Sequence, residues 1–317
     1  YLLSVILFLC SSLFAAQEEW ITLSNSNSFA VDVNVISSNE DLIEIEYQLN
    51  GFYKKPIEIN GEKYSKIILP DESIFLQEGF PELPRINRSI IIPAKAKMIA
   101  SVTDYEIEEF HNINIIPSKG NLLRSVNPED VPYTFNDFYA TDSWFPKDIV
   151  STYDPYILRD ARGMVVEVHP FQYNPAQKIL RVYTNVRIKV ENVGLDNINT
   201  LEVDLSDKAT VDREFLTIYK RKFINFNKLR YIPLPEVGNM LIITYDAFHD
   251  EVLPLYEWKL QKGIPTELVD VGTIGNNYNS IKAYIQQKYN NEGVTYICLL
   301  YTSDAADDMQ CVDLGGR

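Results

Sequence analysis

The sequence predicts a β-rich, sandwich-like domain followed by the first βαβαβ elements of an α/β domain. Apolar and polar residues alternate from Trp20 to about Val193, which is typical of strands with one buried face. A basic segment with prolines follows at 217–238. Beyond it the pattern changes to short apolar runs separated by stretches of helical periodicity.

The composition is that of a soluble globular protein. The chain has 317 residues, of which 46% are hydrophobic and 23% charged, and this length is enough for two domains. Its formal net charge of -15 argues against a nucleic-acid partner, because binding a phosphate backbone needs a basic surface. An anionic membrane surface is disfavoured for the same reason.

Residues 1–16 are expected to be a secretory signal peptide whose basic start is missing. They form an apolar run that ends in Ala15 and Ala16, and the first charge follows at Glu18. The run is shorter than the about 20 apolar residues that a membrane-spanning helix needs, so no membrane span is expected. Cys10 offers a lipoprotein anchor as the alternative, but Leu9 is not the small residue that such signals prefer.

The first domain is expected over residues 17–216. Its clearest strand runs over 180–190, with apolar and polar residues on opposite faces. Together with the apolar run at 164–168, and with Asn174 and Pro175 between the two, it predicts an antiparallel hairpin. Many short strands and no convincing helix favour a double sheet, whose strand order the sequence does not define.

The second domain is expected to begin within residues 239–297. The expected order is strand, helix, strand, helix, strand, over residues 240–244, 249–262, 266–271, about 279–293 and 295–297. This order is the beginning of a parallel α/β sheet.

Residues 298–317 are expected to lie outside the natural protein. From Cys298 to Asp307 they match the direct translation of a transposon-type sequencing-library adapter, and a natural acidic loop is the alternative. The other cysteines are Cys10 and Cys311. Residues 17–297 therefore offer no disulfide, thiolate metal site or thiol nucleophile.

The two domains carry no recognisable catalytic or metal-binding motif. The three histidines, His111, His169 and His249, are isolated, and none has a second ligand at metal-binding spacing. A glycine pair at Gly272 and Gly275 lacks the third glycine of a dinucleotide-binding motif. We therefore predict no catalytic residue, no metal site and no cofactor in this chain.

Several segments resemble the gingipain family of cysteine peptidases. The segments GFPELP at 79–84, IIIP at 90–93 and PFQYNP at 170–175 resemble the pro-region of that family. The segments MLII at 240–243, WKLQKG at 258–263 and IKAYI at 281–285 resemble the first strand and helices of its catalytic domain. Their order, together with the change from β to α/β patterning, makes the combination specific.

The resemblance implies the zymogen of a secreted or cell-surface bacterial peptidase. Its pro-domain would bind and inhibit its own catalytic domain, and the full-length protein would hydrolyse protein substrates, with basic residues as the expected cleavage sites. The family's catalytic histidine and cysteine lie beyond the third strand of the catalytic domain. This chain therefore lacks both and is expected to be inactive, and His249 and Cys298 are not expected to replace them.

The basic segment 217–238 is expected to be a linker that contains the processing site. A cluster of basic residues followed by Pro233 and Pro235 is typical of a domain boundary, and a solvated strand edge is the alternative. The resemblance to arginine-specific members implies cleavage after Arg230, with Tyr231 as the new N-terminus. The alternative cleavage positions are Lys222 and Lys228.

The first candidates for the inhibitory contact are Arg159 and Arg162, which lie in a short polar segment before a strand. A guanidinium that pairs with a carboxylate in a peptidase pocket gives both affinity and orientation. The alternative is that these arginines only pair with Asp154 or Asp160 at the surface. The next candidates are Arg85, Arg88 and Arg124.

A competing function class is a non-enzymatic, secreted β-sandwich module for adhesion or carbohydrate binding. The strand pattern and the 20 tyrosines favour it, since tyrosines can form a binding surface. Tyrosine is also common in ordinary sheets.

Overall fold

The computed structural model describes residues 18–26, 28–229 and 231–300. These residues divide into two compact units. The first unit comprises residues up to 205 together with 222–229, and the second comprises 206–221 together with 231–300. The expected signal peptide at 1–16 and residues 301–317 of the expected adapter tail lie outside the described residues.

The first unit is built from strands, as its alternating sequence predicts. They are β1 (Glu19–Thr22), β2 (Asp32–Ser38), β3 (Leu42–Gln48), β4 (Gly51–Ile59), β5 (Glu62–Ile68), β6 (Ser73–Ile74), β7 (Pro84–Ile91), β8 (Ala96–His111), β9 (Val150–Thr152), β10 (Tyr156–Leu158), β11 (Ala161–Val168), β12 (Phe171–Asn174) and β13 (Ile179–Leu195). The short 3-10 helices Pro128–Asp130 and Asp137–Ala140 lie in the long connection between β8 and β9. The predicted β-rich fold is confirmed.

Three sheets make up the first unit, and within each of them the paired strands are antiparallel. One sheet has the order β1-β4-β5, and a second has the order β10-β11-β7-β6 with β9 also paired to β11. The third has the order β12-β13-β3-β2, with β8 paired along β13. Because side chains alternate between the faces of a strand, one face of each sheet supplies apolar residues to a common core.

The core of the first unit joins residues from all three sheets. Phe52 of β4, Val166 of β11 and Val186 of β13 are fully buried in one cluster. Phe171 packs edge to face against Phe52, with ring centroids 5.3 Å apart. Burial of such side chains is the main favourable contribution to folding of this unit.

One expected hairpin differs in the structure. The run at 164–168 lies in β11, which pairs with β7, β9 and β10 rather than with the strand at 180–190. The hairpin partner of β13 is β12, and the turn between them contains Pro175. The reason is Pro170, which separates β11 from β12 and cannot donate a backbone hydrogen bond, so the chain passes there from one sheet to another.

The second unit contains the predicted strand-helix alternation. Its elements are β14 (Thr210–Asp212), α1 (Arg213–Lys222), β15 (Leu234–Glu236), β16 (Met240–Thr244), α2 (His249–Gln261), β17 (Thr266–Asp270), α3 (Val271–Ile274), α4 (Tyr278–Glu292) and β18 (Tyr296–Leu300). Lys222, the last residue of α1, is counted with the first unit. Strands β17, β16 and β18 form a parallel sheet in that order. Leu241, Ile243 and Ile281 form its core with Val271 and Val294. The α/β part of the predicted fold is confirmed.

Part of the expected linker at 217–238 is helical. Helix α1 covers 213–222, and Leu216 and Tyr219 are buried on one of its faces. Asp212 caps it, since its Oδ1 accepts hydrogen bonds from the backbone nitrogens of Glu214 and Phe215 at 3.0 and 3.3 Å. The helix forms because apolar residues recur at helical spacing beneath the basic residues.

Residues 298–300 continue a regular strand. β18 pairs in parallel with β16, and Cys298 lies opposite Ile242. The expectation that the tail lies outside the natural protein stays a prediction. Among the described residues, no helix is long and apolar enough to cross a membrane.

Candidate functional site

Arg162, the first predicted inhibitory residue, is a buried structural anchor. Its side chain has no exposed surface, and all five of its N–H groups donate hydrogen bonds. One acceptor is Asp196 Oδ2 at 2.6 Å, and the others are the backbone carbonyls of Pro93, Ala96, Ile198 and Asn199 at 2.7 to 3.0 Å. All the N–H groups of Arg162 are thus used within the unit, which argues against an inhibitory contact through this side chain. The inhibitory role of Arg162 stays a prediction.

Arg159 lies in the two-residue turn between β10 and β11 with φ of 51°. Only 15% of its side chain is exposed, and its Nε lies 3.5 Å from Asp160 Oδ2. The alternative interpretation, in which the arginine pairs with a neighbouring aspartate, therefore describes its position. Little of the side chain is left for contact with another protein.

Arg85 and Arg88 on β7 are also paired. Arg85 donates to Glu167 Oε2 at 2.9 Å, and His169 Nε2 contacts the other oxygen of Glu167 at 2.9 Å. Burial raises the pKa of Glu167, but hydrogen bonds from His169 and Tyr153 and the charge of Arg85 outweigh it and hold the pKa below its usual value. Arg88 forms a bidentate ion pair with Glu72, in which each of its two terminal nitrogens donates to one carboxylate oxygen.

Arg124 occupies a different setting, at the tip of an exposed loop. Val126 donates its backbone N–H to Leu123 O at 2.9 Å, which closes a four-residue turn with Arg124 in the second position. Arg124 is exposed, and so is 74% of Leu123 beside it. Within the part of the chain that the structure describes, the Arg124 side chain has no hydrogen bond or ion pair.

The arginine loop, residues 119–133, is held firmly at its base. Gly79 donates to Ser118 O at 2.9 Å, and Ser118, which is buried, donates to Phe80 O at 2.7 Å. Asn127 caps the 3-10 helix Pro128–Asp130 by accepting from Glu129 N at 3.2 Å. The sequence placed Arg124 only among the next candidates, although Ser125, Asn127 and Pro128 are residues that favour turns.

Along the chain, the expected processing position follows residues 222–229 of the first unit and precedes residues 231–300 of the second. Arg230 itself lies outside the described residues. Tyr231 after it is 47% exposed and Leu234 is 63% exposed. Lys222 and Lys228, the alternative positions, are also exposed, but Lys222 ends helix α1 and Lys228 lies in a 3-10 helix. Residues 231–233, by contrast, are not helical.

The chain beyond Tyr231 returns to regular structure at once. β15 pairs in parallel with β14, and Leu234 donates its N–H to Ala209 O at 3.0 Å. Asp212 of β14 is buried, and a side chain at Gly238 would collide with its Oδ2. The pairing thus joins residues on both sides of position 230.

His249 and Cys298 do not form a catalytic pair in the described structure. His249 Nδ1 lies 2.7 Å from Asp270 Oδ1, and this hydrogen bond is the main cause that raises the histidine pKa. Burial raises the pKa of the Cys298 thiol, which is the opposite of what a nucleophilic thiolate needs. Among residues 18–26, 28–229 and 231–300, no cluster of three or more His, Cys, Asp or Glu residues is arranged to hold a metal ion.

Two sequence-family models match the chain, one to each part. Propeptide_C25 matches residues 25–231, which is more than half of the chain, and Peptidase family C25 matches residues 234–308. The chain belongs to peptidase family C25. Its first part is a C25 propeptide, and its second part is the start of a C25 peptidase domain. The second match continues into the expected adapter tail.

The curated relatives in this family are gingipains. Gingipain R2 of Porphyromonas gingivalis strain W83 is 30% identical over 279 residues, which are 84% of this chain and 37% of the relative. Gingipain R1 of the same species is 31% identical over 272 residues, 83% of this chain and 27% of the relative. Lys-gingipain is 25% identical over 260 residues, 78% of this chain and 15% of the relative. The chain thus spans little more than a third of the length of Gingipain R2.

A solved structure agrees with this assignment to family C25. A chain from the complex of Porphyromonas gingivalis RgpB pro- and mature domains matches with a TM-score of 0.56 and 28% identity, over 62% of this chain and 96% of that chain. The gingipain resemblance is therefore confirmed. The competing adhesion or carbohydrate-binding module finds no support, because both parts of the C25 chain match the same peptidase family in the expected order.

Proposed function

We propose that this chain is the inhibitory pro-region and the opening of the catalytic domain of a secreted, gingipain-like cysteine endopeptidase that cleaves after basic residues. The observation that carries the proposal is the succession of a C25 propeptide and a C25 peptidase segment in one chain. The apolar run at 1–16 supports export, which a fractionation of the producing cells would test. The partner of the pro-region is its own catalytic domain.

The inhibitory contact is assigned to Arg124 rather than to Arg159 or Arg162. The first unit has seven described arginines, and six of them pair with a carboxylate. Those six are Arg85, Arg88, Arg159, Arg162, Arg181 and Arg187. Arg124 is the exception, and it lies at the tip of a turn on a loop whose base is fixed. An exposed, pre-shaped arginine is the group that a pocket selective for basic residues would bind with the smallest loss of conformational freedom.

The test is inhibition in trans of the mature peptidase by this chain. The whole chain is added to the enzyme with a short arginyl substrate, and the inhibition constant is measured for the wild type and for Arg124→Ala. Loss of a desolvated charge pair costs about 2 to 5 kcal/mol, so inhibition should weaken by at least about thirtyfold. Arg187→Ala is the matched control, since Arg187 is an exposed arginine whose partner is Glu46. Equal inhibition by the two variants would reject the assignment of Arg124.

The processing site is proposed to lie between Arg230 and Tyr231. The two family matches end and begin at 231 and 234, and the segment that follows 230 is exposed and not helical. In the full-length protein, Arg230→Ala should prevent maturation, whereas Lys228→Ala should leave it unchanged. N-terminal sequencing of the matured enzyme should find Tyr231 first. A mature end at residue 223 or 229 would move the site to Lys222 or Lys228.

A further inference from the structure

Lys119 ties the two sides of the arginine loop together. Its Nζ donates a hydrogen bond of 2.7 Å to Pro128 O, across the loop from its own position. The same ammonium lies 4.2 Å from the centroid of the Tyr133 ring, at a distance typical of a cation–π contact. Lys119 and Tyr133 are half-buried, while residues 123–130 between them are exposed.

This contact closes the segment from 119 to 128, and Arg124 lies near its middle. The contact involves a charged donor, which makes it stronger than a hydrogen bond between neutral groups. Next to it, Gly120 donates to Ser118 Oγ at 3.1 Å, so the residue that follows Lys119 is attached to the base of the loop. The segments of chain before and after Arg124 are thereby connected to each other independently of the turn at the tip of the loop.

An arginine bound in the pocket of an arginine-specific peptidase places the bond after it in position for hydrolysis. That reaction breaks the C–N bond between Arg124 and Ser125, while water adds OH to the carbonyl carbon and a proton to the leaving nitrogen. The reaction is completed only if the new ends move apart. A loop whose two sides stay joined keeps the ends together, which favours re-formation of the bond over release.

We propose that Lys119 is a positioning residue that keeps the arginine loop an inhibitor and prevents it from becoming a substrate. The inference rests on the proposed inhibitory function of Arg124 and adds a reason why the exposed Arg124–Ser125 bond would stay intact in the complex with the peptidase. Lys119 is not a member of the hydrophobic core. Its removal should therefore loosen the loop without unfolding the unit.

The variants are Lys119→Ala, Lys119→Arg and the control Lys97→Ala. Arginine at 119 keeps a positive charge, N–H donors and the ability to stack on Tyr133. Lys97 lies exposed on β8, away from the loop. Each whole chain is incubated with the mature peptidase, the inhibition constant is determined, and mass spectrometry follows cleavage between Arg124 and Ser125 over time. The melting temperature of each variant is recorded.

Lys119→Ala should inhibit at least tenfold less well and be cut after Arg124 at least tenfold faster than the wild type, with an unchanged melting temperature. Lys119→Arg should restore most of both properties, and Lys97→Ala should match the wild type. An Ala variant that stays uncut, or one that is cut only because its melting temperature has fallen, would overturn the inference.

Trypsin separates this inference from the proposed function. It cleaves after arginine whatever the specificity of the parent enzyme, so the variant should be nicked at Arg124 faster than the wild type by trypsin as well. Failure of the wild-type chain to inhibit the mature peptidase would reject the proposed function. Equal trypsin cleavage of the two chains at Arg124 would reject the role of Lys119 alone.

Discussion

Replacing Arg162 by alanine should destabilise the first unit strongly. The substitution removes five hydrogen bonds of 2.6 to 3.0 Å and leaves Asp196 without its cationic partner. Breaking a buried ion pair by removing one partner costs about 3 to 5 kcal/mol. Since a domain of this size is stable by about 5 to 15 kcal/mol, the variant loses a large share of its free energy of unfolding.

The assay is urea unfolding followed by tryptophan fluorescence in a Trp258→Phe background. The remaining tryptophans, Trp20 and Trp144, both lie in the first unit, so the signal reports on that unit. With a urea dependence of about 2 kcal/mol per molar, the loss corresponds to a midpoint lower by about 1.5 to 2.5 M. Arg187→Ala is the matched control, because its ion pair with Glu46 is exposed and contributes only about 0 to 1 kcal/mol.

A midpoint for Arg162→Ala no lower than that of Arg187→Ala would refute the anchoring role. Asp196→Asn provides a second measurement, since the amide keeps an acceptor for the guanidinium but removes the charge. It should destabilise less than Arg162→Ala. The reverse order would show that the backbone carbonyls contribute little.

Three further substitutions test other buried contacts of the first unit by the same titration. Asn225→Ala should cost about 1 to 3 kcal/mol, because the buried side chain of Asn225 pairs with both the N–H and the C=O of Ile91 at 2.8 and 2.9 Å. Gly163→Ala should cost about 1 to 3 kcal/mol through overpacking, since a Cβ there would lie 2.6 Å from the Phe223 ring; a neutral result would show that the ring can move. Glu167 has a lowered folded pKa, so its contribution to stability is present above the unfolded pKa of about 4.3 and is lost as the pH falls through the folded value. Glu167→Gln should therefore flatten the decline of stability below about pH 4.3, and parallel curves for the two proteins would contradict this.

The order of the elements was predictable because periodicity reports directly on burial. The alternation over 180–190 and the apolar run at 240–244 correspond to β13 and β16, and the helices after β16 and β17 lie where their spacing predicts. Which strands pair with each other in the sheets was not predictable in the same way. The run at 164–168 fits a strand in either sheet, and Pro170, not periodicity, directs the chain from one sheet to the next.

The inhibitory candidates show why residue type alone was insufficient. Arg162 and Arg124 are both arginines in short polar segments, yet one has no exposed side-chain surface and the other is exposed. The burial of Arg162 depends on Asp196, 34 positions away in sequence, and on backbone carbonyls 36 to 69 positions away, which no local pattern reveals. Ser125, Asn127 and Pro128, which favour turns, were the local signal in the sequence that Arg124 lies on a loop.

Because β14 pairs with β15, cleavage of the chain after residue 230 and release of the pro-region would be two separate steps. Cleavage after residue 230 would leave β15 on the mature enzyme and β14 on the pro-region. The two strands would still be joined by the backbone hydrogen bonds of their parallel pairing. The severed pro-region would then be retained at a high effective concentration, and freed only when the two fragments dissociate. The onset of activity would lag behind the appearance of the new N-terminus, and dilution after cleavage would shorten that delay.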